Sequence, residues 1–167
     1  MAWVLVILRI IHIFAGVLWV GASYTMALFV TPTVHALGAD GQKFMQTMAK
    51  TGKMSKRLGM AGGLTLLSGL LLYGLLFHGL APLNTGSGLA LTLGGLFGIL
   101  AGYMGGRSGR YVKQMQAVAA ELAGGATAEL QARMAALQEA MATNGAITTI
   151  LMTLSLLGMV LSEYFVI

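Results

Sequence analysis

The chain has no cysteine, two prolines and few charges: Asp and Glu together number five, and charged residues of both signs make up 9% of its 167 residues. The lack of cysteine excludes disulfides, thiolate metal sites and a thiol nucleophile, and carries no information about the redox state of the compartment. The scarcity of charge excludes an ordinary soluble domain, in which roughly a quarter of residues are charged. The motifs of soluble enzymes are missing too. With no paired carboxylates, phosphate loop, H-E-x-x-H or nucleophile elbow, any catalysis is confined to proton or electron transfer assisted by a cofactor. Nor is there a basic leader with a short apolar core and a cleavage site, because the first charge, Arg9, falls inside the apolar run; the first helix is expected to be retained.

What the sequence does contain is apolar surface. Hydrophobic residues make up 57% of the chain and the mean hydropathy is +0.82, which marks an integral membrane protein. Four runs, 3–30, 58–80, 88–106 and 145–167, are each long enough to cross a hydrocarbon layer of roughly 30 Å as a helix. The expected fold is all-α: a single four-helix transmembrane domain over 1–167, an antiparallel bundle with helical cytoplasmic connections. Pro32 is expected to end the first span, and Pro82 with Asn84 and Gly86 to make the tight turn between the second and third. The twelve methionines suit gap-filling in helix interiors; thioether ligation of copper or haem iron is the alternative use.

Cations set the orientation. Lys43, Lys50, Lys53, Lys56 and Arg57 lie between spans one and two, and Arg107, Arg110, Lys113 and Arg133 between spans three and four, whereas the turn between spans two and three has none. The positive-inside rule places both long connections in the cytoplasm and both termini outside. The net charge of +5 is thus topological and does not call for a nucleic-acid partner. In the first connection Asp40 is expected to cap a short helix with Phe44, Met45 and Met48 on one face and Lys43 and Lys50 flanking it, a pattern suited to the membrane surface. Residues 107–144 read as a helical hairpin broken at Gly124 and Gly125. On it Leu130, Met134, Leu137 and Met141 form a stripe that Val118 and Leu122 can face. Gly94, Gly98, Gly102 and Gly106 line one side of the third span, where a neighbouring backbone can approach closely. Contact within the chain satisfies both features, and so does a homodimer or a larger membrane complex.

On the first span Arg9, His12, Gly16, Trp19, Ser23 and Met26 follow at intervals of three and four, which puts all six on one side of the helix. That side is expected to face protein, with Leu8, Ile11, Ala15, Leu18 and Ala22 toward lipid. A charge within a span costs about 2.5 to 3.5 kcal/mol, so Arg9 needs a partner. Glu163, the one carboxylate in any span, lies at similar depth, and an Arg9–Glu163 pair closing the bundle is the structural expectation. His12 has two readings. It hydrogen-bonds a neighbour, with Tyr73 at nearly the same depth, or it ligates haem or copper or moves a proton. For haem, Met159 matches its depth as an axial partner within one chain; His78 is about 10 Å shallower and His35 lies beyond Pro32. Two copies of His12 in a symmetric dimer would serve as well. A copper path would run from His78 through His12 and Met159 toward Met26 and Met60.

The stretch "LRIIHIFAGVLWVGASYTMALFVTPTV", followed by a basic connection and "RLGMAGGLTLLSGLLLYG", resembles a broad group of small bacterial membrane proteins. The group includes CopD-type copper-resistance proteins, HemJ-type protoporphyrinogen oxidases, the membrane part of cytochrome-linked urate oxidases and several uncharacterised families. The shared pattern is a first-helix His followed by Trp-x-Gly and a proline at the helix exit, here His12, Trp19, Gly21 and Pro32. The resemblance covers about the first eighty residues. It implies a four-helix bundle of the bacterial inner membrane and, for some members, b-type haem or copper carried with the help of that His. The chain departs from the HemJ type in having no lysine within the third span, and from di-haem cytochromes in its three histidines, which points to an uncharacterised branch. Two functions follow as expectations: a protein holding haem, or less readily copper, with His12, Arg9, Trp19, Tyr73 and Met159 around the cofactor; or a non-catalytic subunit or assembly factor of a larger membrane complex.

Overall fold

The computed structural model describes residues 2–77 and 81–165. Among the described residues every regular element is helical and there is no strand. Helix α1, Ala2–Thr25, runs through a π-helical turn at Met26–Val30 into α2, Thr31–Leu37. There follow α3, Ala39–Gly52; α4, Met54–Leu76; a 3₁₀ turn at Ala81–Asn84; α5, Gly86–Gly124; and α6, Ala128–Leu161. Four stretches, Ala2–Leu37, Met54–Leu76, Gly86–Gly124 and Ala128–Leu161, are long and apolar enough to cross a membrane.

Two local expectations are corrected. Pro32 does not end the first span, which continues to Leu37. Proline sits in the first turn of α2, directly after the wider π-helical turn, where a missing N–H and a bulky ring are tolerated that would break a regular helix. The chain turns instead at Gly38, whose φ of +55° suits glycine alone among common residues. Asp40 does not cap α3 either: Gly38 holds the cap position without a side-chain bond. Asp40 lies inside the first turn and pairs with Lys43 at 2.9 Å. Lys53, in a left-handed conformation at φ +46°, then reverses the chain into α4. Both later long helices start on a threonine: Thr85 accepts from Gly88 N at 3.1 Å and Thr127 from Leu130 N at 3.2 Å, each satisfying an otherwise unpaired first-turn amide.

Small residues decide how the helices meet. In the α5/α6 seam a Cβ added to Gly158 would lie 2.6 Å from Gly94 Cα and 2.8 Å from the Ala90 carbonyl, so these two backbones touch with nothing between them. Gly98 meets Ser155, Gly102 turns toward Leu66 of α4 and the tip of Trp19, and Gly106 meets nothing. The glycine row is thus consumed mostly inside the chain. Polar ties run the length of the same seam: Ser87 Oγ donates to the Ser162 carbonyl at 2.6 Å, and Asn144 Nδ2 to the Met104 carbonyl at 2.9 Å and Ser108 Oγ at 2.8 Å. Beyond it Val118 is fully buried, and Leu122, Leu130, Met134, Leu137 and Met141 are half-buried, so the hairpin stripe is also covered within the chain.

All four long helices supply one residue each to the central cluster of Trp19, Ala61, Ala101 and Met152, with Val20, Leu66 and Leu151 packed around it. The bulkier apolar side chains point outward: Phe14, Val17, Leu67 and Leu70 are more than 60% exposed, whereas Thr65, Ser68, Asn144, Thr148 and Ser155 are buried. This is the reverse of a water-soluble bundle. Gly158→Leu should wedge α5 from α6 and lower stability by about 1–3 kcal/mol or more. The thermal midpoint in mild detergent measures this, with Gly106→Leu, in open space, expected to stay within about 0.5 kcal/mol of wild type.

Candidate functional site

The site is built from one bare turn of α4. In a helix each side chain leans back over the preceding turn, so the residue at position 69 would ordinarily cover the carbonyl of Thr65. Gly69 leaves it open. The His12 ring of α1 fills that gap, with Cε1 only 2.7 Å and Nδ1 3.0 Å from where a Cβ on Gly69 would lie. Nδ1 is 2.8 Å from the Thr65 carbonyl oxygen and 3.4 Å from Ser68 Oγ. A carbonyl only accepts, and the Ser68 hydroxyl already donates to the Leu64 carbonyl at 2.5 Å. The imidazole proton therefore belongs on Nδ1, and the Nε2 lone pair is left over. Nε2 has no hydrogen-bond partner among the described residues and is not sealed from the surface.

The rest of the α1 stripe continues down the seam. Gly16 lies against the Thr65 methyl, whose hydroxyl is turned back to the Ala61 carbonyl at 2.8 Å. The Trp19 ring lies flat on Gly62, 3.0 Å from a would-be Cβ there, and is 8% exposed. Ser23 donates to the Trp19 carbonyl at 2.8 Å. Tyr24 donates to the Thr153 hydroxyl of α6, which itself donates to the Thr149 carbonyl. Met26 is half-buried. Of the residues expected toward lipid, Ile11 and Leu18 are exposed, and Leu8, Ala15 and Ala22 are half-buried.

Arg9 departs from this stripe. It is exposed, and the expected pair with Glu163 does not form: the one ion pair among the described residues is Lys43–Asp40. The helix neighbours explain it. The N-terminal half of α1 lies against α4 at His12 and Gly16, and α1 touches α6 at Tyr24 and Thr153 instead. Moreover α6 stops at Leu161, leaving Glu163 exposed in the following turn.

The other sequence-selected residues are dispersed. Tyr73 is not the partner of His12; it turns to α5 and donates to Thr92 Oγ1 at 2.8 Å, because that hydroxyl already gives its proton to the Gly88 carbonyl. Met159 belongs to the α5/α6 seam, its backbone amide against Gly94. Met60 is 59% exposed, His35 is exposed in α2, and His78 lies outside the described residues. No group of three or more His, Asp or Glu side chains converges among the described residues. Sequence reasoning missed Thr65, Ser68 and Gly69. The signal was there: a hydroxyl residue and a glycine four apart, with a serine between, mark one open polar turn.

No family model, curated protein or solved structure matches the chain. Gly69→Leu is expected to expel the imidazole and lower stability by about 1–3 kcal/mol through overpacking and the lost bond. Ser68→Ala, which removes the longer His12 contact and the hydroxyl's bond to the Leu64 carbonyl, should cost roughly 0.5 kcal/mol; titration with a denaturing detergent ranks the two.

Proposed function

We propose that this chain is a multi-pass protein of a bacterial inner membrane, an antiparallel bundle of four transmembrane helices with both termini outside, that carries a b-type haem through His12. One observation carries the reading: His12 Nδ1 lies 2.8 Å from the Thr65 carbonyl oxygen, a contact that calls for the proton on Nδ1 and leaves the lone pair on Nε2. Histidines that ligate metals are oriented in this way, by donating the other ring N–H to a carbonyl or carboxylate, which fixes the tautomer and raises ligand basicity.

The neighbours support it. Arg9 is one turn away on α1 and has no carboxylate partner, so it is free to neutralise an acidic substituent of the cofactor at the outer surface. Trp19, wedged on Gly62, fixes the rotation of α1 and thereby the direction of the imidazole. With Met159 in another seam, His12 of a second copy in a symmetric dimer would supply the second protein ligand. Copper at the same nitrogen is the lesser form of the proposal. When bound, haem supplies one-electron transfer at a potential set by its ligand and surroundings; the chain's own residues bind it, orient it and keep the site within apolar helices.

The membrane assignment draws on the exposed apolar girdle and the four long helices, and the orientation on the two cationic connections. The resemblance of the first eighty residues to the CopD-like and HemJ-like group agrees with the membrane assignment. The alternative, a non-catalytic subunit or assembly factor, drew on the glycine row and the hairpin stripe. Both are covered within the chain, which favours the cofactor reading.

Protein purified from a haem-supplied host should show a Soret band and a reduced-minus-oxidised α band, absent from His12→Ala and retained in His35→Ala. Wild-type protein with neither a Soret band nor copper by elemental analysis would overturn the proposal.

A further inference from the structure

Between α5 and α6 lies an open hollow of about 400 Å³, lined among others by Met104, Arg107, Tyr111, Glu139, Asn144 and Ile147, a size in the range of small-ligand pockets. The sequences of both helices fix its level. On α5 the apolar run ends at Gly106, and Arg107 is the first charge after it. On α6 Glu139 is the last charge before the run that begins at Gly145. The hollow therefore straddles the height at which both helices pass from apolar to polar.

Its lining is polarised. Arg107 Nη2 donates to the Tyr111 hydroxyl at 2.8 Å; the remaining guanidinium N–H groups and the phenol O–H stay available as donors. Glu139 shares the hollow with Arg107 but does not pair with it, so the two charges stand more than 4.0 Å apart. Asn144 is 3% exposed. Its NH₂ is fixed by the Met104 carbonyl and Ser108, which rules out the flipped amide, and its Oδ1 is a buried acceptor without a partner. Such an acceptor is costly unless something donates to it. One side of the hollow offers donors and a positive charge; the other offers acceptors and a negative charge.

We infer that this hollow binds the headgroup of a membrane phosphatidylethanolamine, with the phosphate on Arg107 and Tyr111 and the ammonium on Glu139. The inference rests on α5 and α6 crossing a membrane and is independent of any cofactor at His12. An anion and a donor-bearing cation a few atoms apart match the lining. A choline headgroup has the same charges but no N–H to give Glu139, and a glycerol headgroup has donors but no cation for it.

The test is native mass spectrometry of the full chain released from nanodiscs of mixed phosphatidylethanolamine and phosphatidylcholine. Wild type should retain the ethanolamine lipid over the choline lipid by roughly tenfold, the effect of one charge-assisted bond. Glu139→Gln, at an exposed position, should collapse that preference while phospholipid stays bound, and Arg107→Gln should lose both lipids. Equal retention of the two lipids by inserted wild type, or indifference to both substitutions, overturns the headgroup site alone. Capture of free O-phosphoethanolamine by protein in pure phosphatidylcholine discs overturns the lipid as its source. A chain that does not enter the discs overturns the membrane reading along with the site.

Discussion

The structure depends on helix backbones meeting without side chains between them. Gly94 and Gly158 bring α5 and α6 into direct contact, and the same device recurs with a different occupant in each neighbouring seam. Gly62 receives the Trp19 ring, Gly102 receives Leu66, and Gly69 receives His12. Such seams are held by close van der Waals packing and hydrogen bonds, and small residues make that approach possible. The functional consequence follows from the same geometry, since a turn without a side chain bares a carbonyl, and a bared carbonyl can hold an imidazole proton.

An interior lined with hydroxyls would be unstable if those groups were unsatisfied. Most are turned back onto their own helix: Thr65 to Ala61, Ser68 to Leu64, Thr148 to Asn144 and Thr153 to Thr149, at 2.5 to 2.8 Å. This satisfies the hydroxyl locally and presents a smooth, small surface to the next helix. Asn144 is the exception. Its amide is too long to fold back, so it bridges to α5 and ties the two helices at the point where they leave their apolar stretch, at the cost of one unpaired oxygen.

Much of the helix content was legible from the apolar runs, because length and hydropathy suffice to identify a stretch able to span a membrane. Azimuth and neighbour were not legible. Counting residues from the span ends matches Arg9 to Glu163, yet the N-terminal half of α1 lies against α4 and Glu163 lies past the end of α6. The same count matches His12 to Tyr73, yet Tyr73 faces α5. The interval of three and four correctly gathered His12, Gly16, Trp19 and Ser23 on an inward side, but it could not show that Arg9, at the end of that row, lies where the neighbouring helix no longer covers it. Pro32 misled for a local reason: the π-helical turn before it relieves the ring that would have stopped a regular helix. The glycine row was readable as a contact surface, while its division between α6, α4 and open space depends on the tilt of helices that no single sequence encodes visibly.

The claim on which the functional account turns is the placement of one proton. In cofactor-free protein labelled with ¹⁵N-histidine, with the His12 signals assigned by their loss in His12→Ala, the account predicts a protonated Nδ1 hydrogen-bonded to a carbonyl and a bare Nε2. A proton on Nε2 with Nδ1 bare would contradict it, because the Thr65 carbonyl could then not hold the ring and no lone pair would be left to present.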